Sequence, residues 1–345
     1  MLRLLHGTNY DFIKWWKHMA VLTLAWIAIG AATLIVHKAS GKPAVNESIE
    51  FTGGTLVQLK FAQPPQIDDI RATVEQAGFP HAEVQQFGGP LEYTVRAQPR
   101  RGEAAAPGDS TQARVIERAA EDSAAKQIVR ALKTRFGVTG VTAGRSEFVG
   151  PRVGQELRRN AVVAILISFV VTLIYLAIRF EWRFGLAAVV ATAHDIFTTI
   201  AFILMLRLEI SLTVVAAILT VIGYSLNDTI IIFDRVRENL KKQRKESLRD
   251  VLNRSINETL PRSIMTHATT LSATVALLIF AGEVIRPFSW VMTFGIFTGT
   301  FSSIYVAGAL LLYIEHKWPR RSGESKGTAR ALAEERRRDR EPANR

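Results

Sequence analysis

The segment SLTVVAAILTVIGYSLNDTIIIF, residues 211–233, decides the fold class of this chain. Its apolar run has the length of about 20 residues that crosses a hydrocarbon core about 30 Å thick, so it predicts a membrane-spanning helix. The same run contains a carboxylate, Asp228. A charged side chain deep in a membrane costs at least about 2.5–3.5 kcal/mol on insertion scales, so Asp228 is a functional candidate by default.

Five more apolar stretches have the length of a span, in a chain of 345 residues that is 48% hydrophobic. The six predicted spans are residues 19–36, 161–178, 185–206, 211–233, 263–280 and 288–314. The first span follows the sequence KWWK at residues 14–17 and is longer than the apolar core of a signal peptide, about 7–15 residues. No clear small-residue cleavage site precedes His37. We therefore expect a retained helix.

The distribution of lysine and arginine predicts the orientation. The basic parts are the N-terminus (1–18), the loop 179–183, the connection 234–262 and the tail 315–345. They alternate with two connections of little net charge, and positive residues stay on the cytoplasmic side, so both termini are expected there. The net charge of +12 is then a consequence of topology. The alternative is a nucleic-acid-binding surface, but the basic residues flank apolar helices and lack interleaved aromatic side chains.

Residues 37–160 are predicted to form a domain outside the cytoplasm, because so long a segment is translocated largely irrespective of its charge. Residue patterns predict a strand at 55–61, a helix at 67–77, strands at 82–87 and 91–97, a helix at 111–136 and a strand at 138–149. This βαββαβ order is that of a ferredoxin-like α+β fold. The Pro, Gly and Ala-rich stretch 98–110 is predicted to be a flexible insertion. The fold class is an α-helical polytopic membrane protein with a ferredoxin-like domain.

The basic connection 234–262 has apolar residues spaced among many charges. This amphipathic pattern is typical of a segment that lies on a membrane surface, and we expect it on the cytoplasmic face. The tail 315–345 is expected to be solvated and mobile because of its charge runs.

Two intramembrane aspartates are candidate functional residues. Asp228 shares a helix face with Tyr224 at a spacing of four residues, and Asp195 follows His194 in the third span. Asp228 is expected to be ionised when a cation is near and neutral when the cation leaves. The alternative is a structural aspartate that hydrogen-bonds neighbouring helices. His194 is a candidate proton relay or a satisfied interhelical donor.

Arg262 follows Pro261, a favoured first helical residue, at the start of the predicted fifth span. Arg262 either pairs with Asp228 at similar depth or extends to the membrane surface. The same span carries Thr266 and Thr270 at a spacing of four residues. These hydroxyls could hold a file of water molecules, or they could join helices with no transport role.

Small residues recur along one face of the last span at Gly295, Gly299 and Ser303. Such a stripe lets helix backbones approach closely, so we interpret it as a packing surface. The chain has no cysteine, which excludes disulfides and thiolate metal sites. It also lacks a phosphate-binding loop, a nucleophile triad and a metal-ligand cluster. We expect no enzyme activity, no metal and no cofactor, and a function powered by a membrane gradient or a partner.

Residues 223–239, GYSLNDTIIIFDRVREN, closely resemble the signature of the SecD/SecF family of protein-export membrane proteins, and of its SecF branch in particular. Further family features occur in the same order along the chain. They are Phe51-Thr52-Gly53-Gly54, residues 149–154, His194-Asp195 and residues 302–307. Two departures, Glu50 and the insertion 98–110, leave the membrane motifs unchanged.

This resemblance implies half of an RND-superfamily bundle in the bacterial inner membrane. It implies that the chain pairs with SecD beside the SecYEG channel. It also implies use of the proton-motive force to draw preproteins out after SecA has pushed them in. The family's functional aspartate falls on Asp228, next to Asn227, and its arginine falls on Arg262. The implied contacts are with preprotein and membrane lipid, and nucleic acid is not among them.

Two other functions agree with the same pattern. An efflux half-transporter of the RND superfamily would need an enclosed apolar pocket in the extracytoplasmic domain. A passive assembly factor that only stabilises SecD and the channel would tolerate substitution of Asp228 and Arg262.

Overall fold

The computed structural model describes residues 8–41, 43–80, 82–97, 124–242, 246–282 and 284–318. The predicted flexible insertion 98–110 lies outside the described residues, as do the N-terminal residues 1–7 and most of the predicted tail 315–345.

Six helical segments in the described part of the chain are long and apolar enough to cross a membrane. They are α1 (Trp16–Ala39), α5 (Pro151–Arg179), α6 (Trp182–Met205), α7 (Leu212–Lys242), α8 (Leu248–Phe280) and a last segment formed by α9 (Arg286–Phe301), a π-helical turn (Ser302–Ala307) and α10 (Gly308–Lys317). Helix α6, helix α7 and the last segment are the most buried. The other three expose most of their apolar surface, which suits contact with lipid or with another helix bundle.

The α+β domain lies between α1 and α5. Its elements are β2 (Gly54–Phe61), α3 (Ile67–Gln76), β3 (Glu83–Gln86), β4 (Glu92–Ala97), α4 (residues 124–136) and β5 (Val141–Val149). The strand order is β3-β4-β2-β5 and all neighbouring strands are antiparallel. This is the ferredoxin-like arrangement that the sequence predicts. Both helices pack on the sheet through a core that includes Ile70, Val95 and Ile128.

Two short elements that the sequence analysis missed join this domain to the helices. Strand β1 (Asn46–Glu47) pairs in parallel with β6 (Glu209–Ile210), which lies between α6 and α7. The one-turn helix α2 (Ile49–Thr52) follows β1, and the Glu50 carboxylate accepts a hydrogen bond of 2.7 Å from the backbone N–H of Leu212. The α+β domain is therefore attached to the start of α7.

The predicted loop 234–262 is largely helical, and its position on the membrane surface stays a prediction. Residues 234–242 are the end of α7 and residues 248–262 are the beginning of α8, and their apolar side chains pack against other helices inside the protein. The expectation that Pro261 is the first residue of a helix is wrong, because Pro261 lies inside α8, which begins at Leu248. An internal proline costs about 3 kcal/mol or more. Burial of side chains such as Val251, Leu252 and Ile256 opposes that cost.

Candidate functional site

Asp228 lies on α7, with only 3% of its surface exposed. Its carboxylate accepts a hydrogen bond of 2.5 Å from Ser263 Oγ on α8 and one of 2.7 Å from Ser303 Oγ on the π-helical turn. One buried acid is thus joined to two other membrane helices. A change in its proton would alter both of these bonds.

Asp195 on α6 forms a second buried site, with 1% of its surface exposed. Its Oδ2 accepts hydrogen bonds from Ser225 on α7 and from Ser302, the latter at 2.7 Å. Its Oδ1 lies 3.0 Å from His194 Nδ1. The structure therefore brings together His194 and Asp195, and surrounds the acid with donors from α7 and the π-helical turn.

The π-helical turn links the two sites, because the adjacent residues Ser302 and Ser303 each reach a different aspartate. A single π turn inside an α-helix is frequently found at functional sites. Ser303 was predicted to be a packing residue. The roles of Ser225, Ser263 and Ser302 as hydrogen-bond donors to the two acids were not predicted. The available signal was that Ser225 and Ser302 lie within the family motifs.

Glycines bring the last span against α7. A Cβ atom built on Gly295 would lie 2.3 Å from Val221 Cγ2, and one built on Gly299 would lie 2.9 Å from Ser225 Cβ. Both glycines of the predicted small-residue stripe thus lie at close helix contacts. This contact is also what allows Ser225 and Ser302 to approach the same carboxylate.

The ion pair between Asp228 and Arg262, one of the two alternatives for Arg262, is not formed in this structure. Arg262 is exposed on α8, and in the described part of the chain no hydrogen bond or ion pair joins it to Asp228. Successive helical residues point about 100° apart, so the next residue, Ser263, faces the bundle and bonds the acid instead. Asn227 is also exposed, on the opposite side of α7 from the buried residues.

The remaining candidates lie between α7 and α8. The Tyr224 hydroxyl lies 3.0 Å from Thr270 Oγ1 and 3.0 Å from the carbonyl oxygen of Thr266. His267 stacks edge-on against Tyr224, and its Nδ1 is 2.5 Å from the carbonyl oxygen of Ser263. These groups therefore adjoin the Asp228 site without touching the carboxylate.

The motif at residues 51–54 lies at the entrance to the α+β domain. Phe51 is buried against Ala161 on α5 and Val215 on α7. Gly53 has a φ of +72°, a conformation that favours glycine. A Cβ atom on Gly154 would lie 2.9 Å from the Gly53 nitrogen, so the two family motifs meet in close backbone contact.

Arg96 on β4 connects the α+β domain to the α6–α7 connection. Its guanidinium lies 2.5 Å from Glu209 Oε1 and 3.1 Å from Glu83 Oε2, and it donates to the backbone oxygen of Glu47 at 3.2 Å. Burial raises the pKa of Glu209 above its ordinary value, although the positive charge of Arg96 opposes the shift. The sequence analysis missed this cluster because its members are far apart along the chain.

Two family profiles match the chain. Residues 128–317, more than half of the chain, match the family described as "Protein export membrane protein SecD/SecF, C-terminal". Residues 40–65 match the "SecD/SecF GG Motif", which contains Phe51 to Gly54. The chain belongs to the SecD/SecF family. Membership confirms the resemblance seen in the sequence.

Curated members of the SecD/SecF family match nearly the whole chain. The protein translocase subunit SecF of Gemmatimonas aurantiaca is 56% identical over 333 residues, which cover 96% of this chain and 94% of the relative. The protein translocase subunit SecF of Vibrio alginolyticus is 40% identical over 312 residues, covering 89% and 92%. The chain is therefore a multi-pass membrane protein of the type of these translocase subunits.

A solved SecD/SecF-family structure has the same fold. SecDF from Thermus thermophilus, described as a translocon-associated membrane protein, is 35% identical with a TM-score of 0.73, and the match covers 92% of this chain. The chain spans only 40% of that longer chain. A second solved structure, of SecDF in a super-membrane-facing form, matches with a TM-score of 0.60 at the same 35% identity. The likeness confirms the RND-type membrane fold.

Proposed function

We propose that this chain is the SecF subunit of an accessory complex of the Sec protein translocase. In this proposal it acts with SecD, uses the proton-motive force, and promotes the late stages of preprotein translocation across the bacterial inner membrane. It acts on preproteins that SecA has pushed into the SecYEG channel and is not itself an enzyme. Membership in the SecD/SecF family supports the proposal, as does the likeness to the translocon-associated SecDF of Thermus.

The observation that carries the proton-driven role is the Asp228 site. An ionised Asp228 accepts hydrogen bonds from Ser263 and Ser303, which belong to two different helices. A protonated carboxyl has one O–H donor and less acceptor capacity, so this pattern has to change when a proton binds. Binding and release of a proton would therefore favour different packings of α7, α8 and the π-helical turn.

The free energy that one proton gains in crossing the membrane is large enough to change the population of two helix packings. One proton moved through 100 mV supplies about 2.3 kcal/mol. At about 1.4 kcal/mol per tenfold change, a fully coupled proton would shift a two-state ratio by about fortyfold. A movement of α7 would be transmitted directly to the α+β domain. The backbone N–H of Leu212, the first residue of α7, donates a hydrogen bond to Glu50 at the entrance to that domain.

An exposed polar face supports pairing with SecD. Asn227, Arg262 and Thr266 are exposed on α7 and α8 although they adjoin or lie within apolar spans. Polar groups that face lipid are costly, so a second helix bundle is the favourable cover. The exposed apolar faces of α1 and α5 suit membrane lipid.

The proposed orientation places the α+β domain in the periplasm and both termini in the cytoplasm. Its support is the positive-inside rule applied to residues 179–183 and 234–262. The N-terminal segment lies on that same side, since the backbone of Tyr10 and Phe12 is hydrogen-bonded by Asn257 and Asn253 near the start of α8.

The test is preprotein translocation in sealed inverted vesicles that contain SecD, SecYEG, SecA and this chain, with and without an imposed proton gradient. We expect the gradient to stimulate the wild type but not Asp228→Asn, while the amount of assembled complex is equal. The control is Asp234→Asn, which removes a half-exposed carboxylate from the same helix and should leave the stimulation intact. A response of Asp228→Asn equal to that of the wild type would contradict the proposal.

A passive assembly role is the second candidate, and one observation favours it. Both carboxylate oxygens of Asp228 are hydrogen-bonded, as in a purely structural interhelical acid. In that case Asp228→Asn would lower the amount of complex containing SecD, and the complex that remained would respond normally to the gradient.

A further inference from the structure

We infer that Asp195 and Asp228 form a single coupled proton-binding pair, in which the adjacent serines Ser302 and Ser303 transmit the protonation state of one acid to the other. This inference deepens the proposed proton-driven function and rests on it. It gives Asp195 a part in proton binding in addition to that of Asp228.

Each of the two serines has two acceptors within reach of its hydroxyl. Ser302 Oγ lies 2.7 Å from Asp195 Oδ2 and 3.1 Å from the carbonyl oxygen of Gly299. Ser303 Oγ lies 2.7 Å from Asp228 Oδ2 and 3.0 Å from the carbonyl oxygen of Thr300. A hydroxyl has one proton to donate, so each serine donates either to its acid or to its own helix.

Protonation of an aspartate changes that choice. A neutral carboxyl can donate its own proton to the serine oxygen, and the serine hydroxyl can then turn to the backbone carbonyl. Ser302 and Ser303 are consecutive residues of one π-helical turn, so a rearrangement at one serine acts on the turn that holds the other.

A second connection runs through α7. Ser225, which donates to Asp195, lies three residues before Asp228 on the same helix. A shift or rotation of α7 that follows protonation of Asp228 therefore displaces a donor to Asp195. The two acids are joined through two independent elements, α7 and the π-helical turn.

Burial of both aspartates favours a state in which one of them is protonated while the other is ionised. Asp195 and Asp228 are 1% and 3% exposed, and ionising both in a poorly hydrated interior is costly. Within four residues of the two acids and of the serines that bond them, the other titratable or charged side chains are His194 on α6, Tyr224 on α7, Arg262 and His267 on α8, and Tyr305 on the turn. Of these, His194 contacts a carboxylate directly, and its buried Nε2 has no hydrogen-bond partner among the described residues.

The coupling predicts a specific infrared result. The carboxyl C=O band of protonated aspartate is titrated in the purified complex with SecD, with aspartate ¹³C-labelled. Sites that interact by more than about one pH unit titrate in two joint steps. We therefore expect Asp195→Asn to move the titration midpoint of the remaining acid by at least about one pH unit, to lower pH, because a neighbouring negative charge is gone.

Ser302→Ala provides a second variant in case Asp195→Asn does not assemble. It leaves both acids in place but removes one hydroxyl from the connection, and we expect the two titration steps to approach each other. The control is Ser289→Ala, since Ser289 is equally buried in the same span and, among the described residues, its hydroxyl bonds the carbonyl oxygen of Ile285 alone. It should leave the titration unchanged.

The infrared titration and the translocation assay can contradict the coupling and the proposed function independently of each other. If Asp195→Asn shifts the midpoint no more than Ser289→Ala does, the two acids titrate independently and the coupling is wrong, even where the gradient stimulates translocation through Asp228. If the midpoint shifts as expected but the gradient has no effect on translocation, the coupling stands and the proposed function is wrong.

Discussion

Equally buried serines in the last span have different partners. Ser289 and Ser303 both have 0% of their surface exposed. Ser289 bonds a carbonyl oxygen of its own helix, whereas Ser303 bonds the carboxylate of Asp228 on another helix. A hydrogen bond to a charged group contributes about 1.5–3 kcal/mol, and its loss leaves a buried acid short of a donor.

We therefore predict that Ser303→Ala lowers the thermal unfolding temperature of the complex and weakens gradient-driven translocation. Ser289→Ala, which removes an equally buried hydroxyl, should change both quantities little. The measurements are thermal unfolding in detergent and translocation in inverted vesicles. Equal effects of the two variants would show that Ser303 is only a packing residue.

Gly299 lies at a close contact between α9 and α7. A Cβ atom there would lie 2.9 Å from Ser225 Cβ and 3.3 Å from Ser225 Cα, so Gly299→Ala should force α9 away from α7 and disturb a donor to Asp195. Overpacking costs about 1–3 kcal/mol, and we expect a lower unfolding temperature. Gly223→Ala is the control, because a Cβ atom at Gly223 meets nothing within 4 Å. A Gly299→Ala protein as stable as Gly223→Ala would contradict this packing.

At the scale of elements, strands β1, β4 and β6 meet at Arg96. We predict that Arg96→Ala loosens the α+β domain from the α6–α7 connection, because Glu209 would lose its positive partner. A loss of about 1.5–3 kcal/mol corresponds to at least about tenfold faster amide hydrogen exchange in β1 and β6. Lys60→Ala, which removes the exposed ion pair with Glu92, is the control and should leave this exchange unchanged. Unchanged exchange in Arg96→Ala would refute the attachment.

The same contact should depend on pH. The pKa of Glu209 is raised from 4.5 by burial when the domain is docked, so the docked state binds this proton more readily than the free state. Docking is therefore strongest below pH 4.5 and loses this contribution as the pH rises through the raised pKa. Glu209→Gln cannot ionise and should abolish the dependence.

Spin-label distances can measure this, because the chain has no cysteine of its own. Labels at Glu75→Cys in the α+β domain and Leu206→Cys at the end of α6 would report the docking distance at different pH values. A distance distribution that narrows as the pH rises would contradict the sign of the effect.

At the scale of the whole molecule, the exposed polar face of α7 and α8 predicts where SecD packs. A photocrosslinking amino acid at Thr266 should crosslink to SecD, because this polar, exposed position needs cover from a protein partner. The same probe at Val163, on an exposed and apolar face of α5, should crosslink mainly to lipid. Crosslinking to SecD from Val163 but not from Thr266 would place the partner elsewhere.

The α+β domain bears on the efflux alternative. A cavity of about 550 Å³ between α4 and β5 is lined by Val57 and Val129 together with Lys126, Arg130 and Lys133. Among the described residues it is an open groove with a largely apolar lining, whereas a porter of small apolar molecules requires an enclosed pocket.

Local sequence patterns were sufficient to predict the membrane spans and the order of elements in the α+β domain. Six apolar runs predict six spans, because a membrane imposes a length and a polarity on each one separately. Alternating apolar and polar residues, and glycines at the ends of helices, predict the ferredoxin-like order. They can do so because strand and helix periodicities are local properties of the sequence. The buried position of Asp228 also follows from its place in an apolar run.

The partners of Asp228 could not be derived in this way. Its depth suggests an ion pair with Arg262, yet the acid bonds Ser263 and Ser303, because the rotation of α8 and the π-helical turn decide which side chains face inward. The attachment of Arg96 to Glu209 likewise depends on two strands that are distant in the chain. The sequence by itself determined which segments cross the membrane and which acid they contain. Only the tertiary structure decided which hydroxyls and charges meet, since hydrogen-bond partners depend on the relative rotation and distance of separate elements.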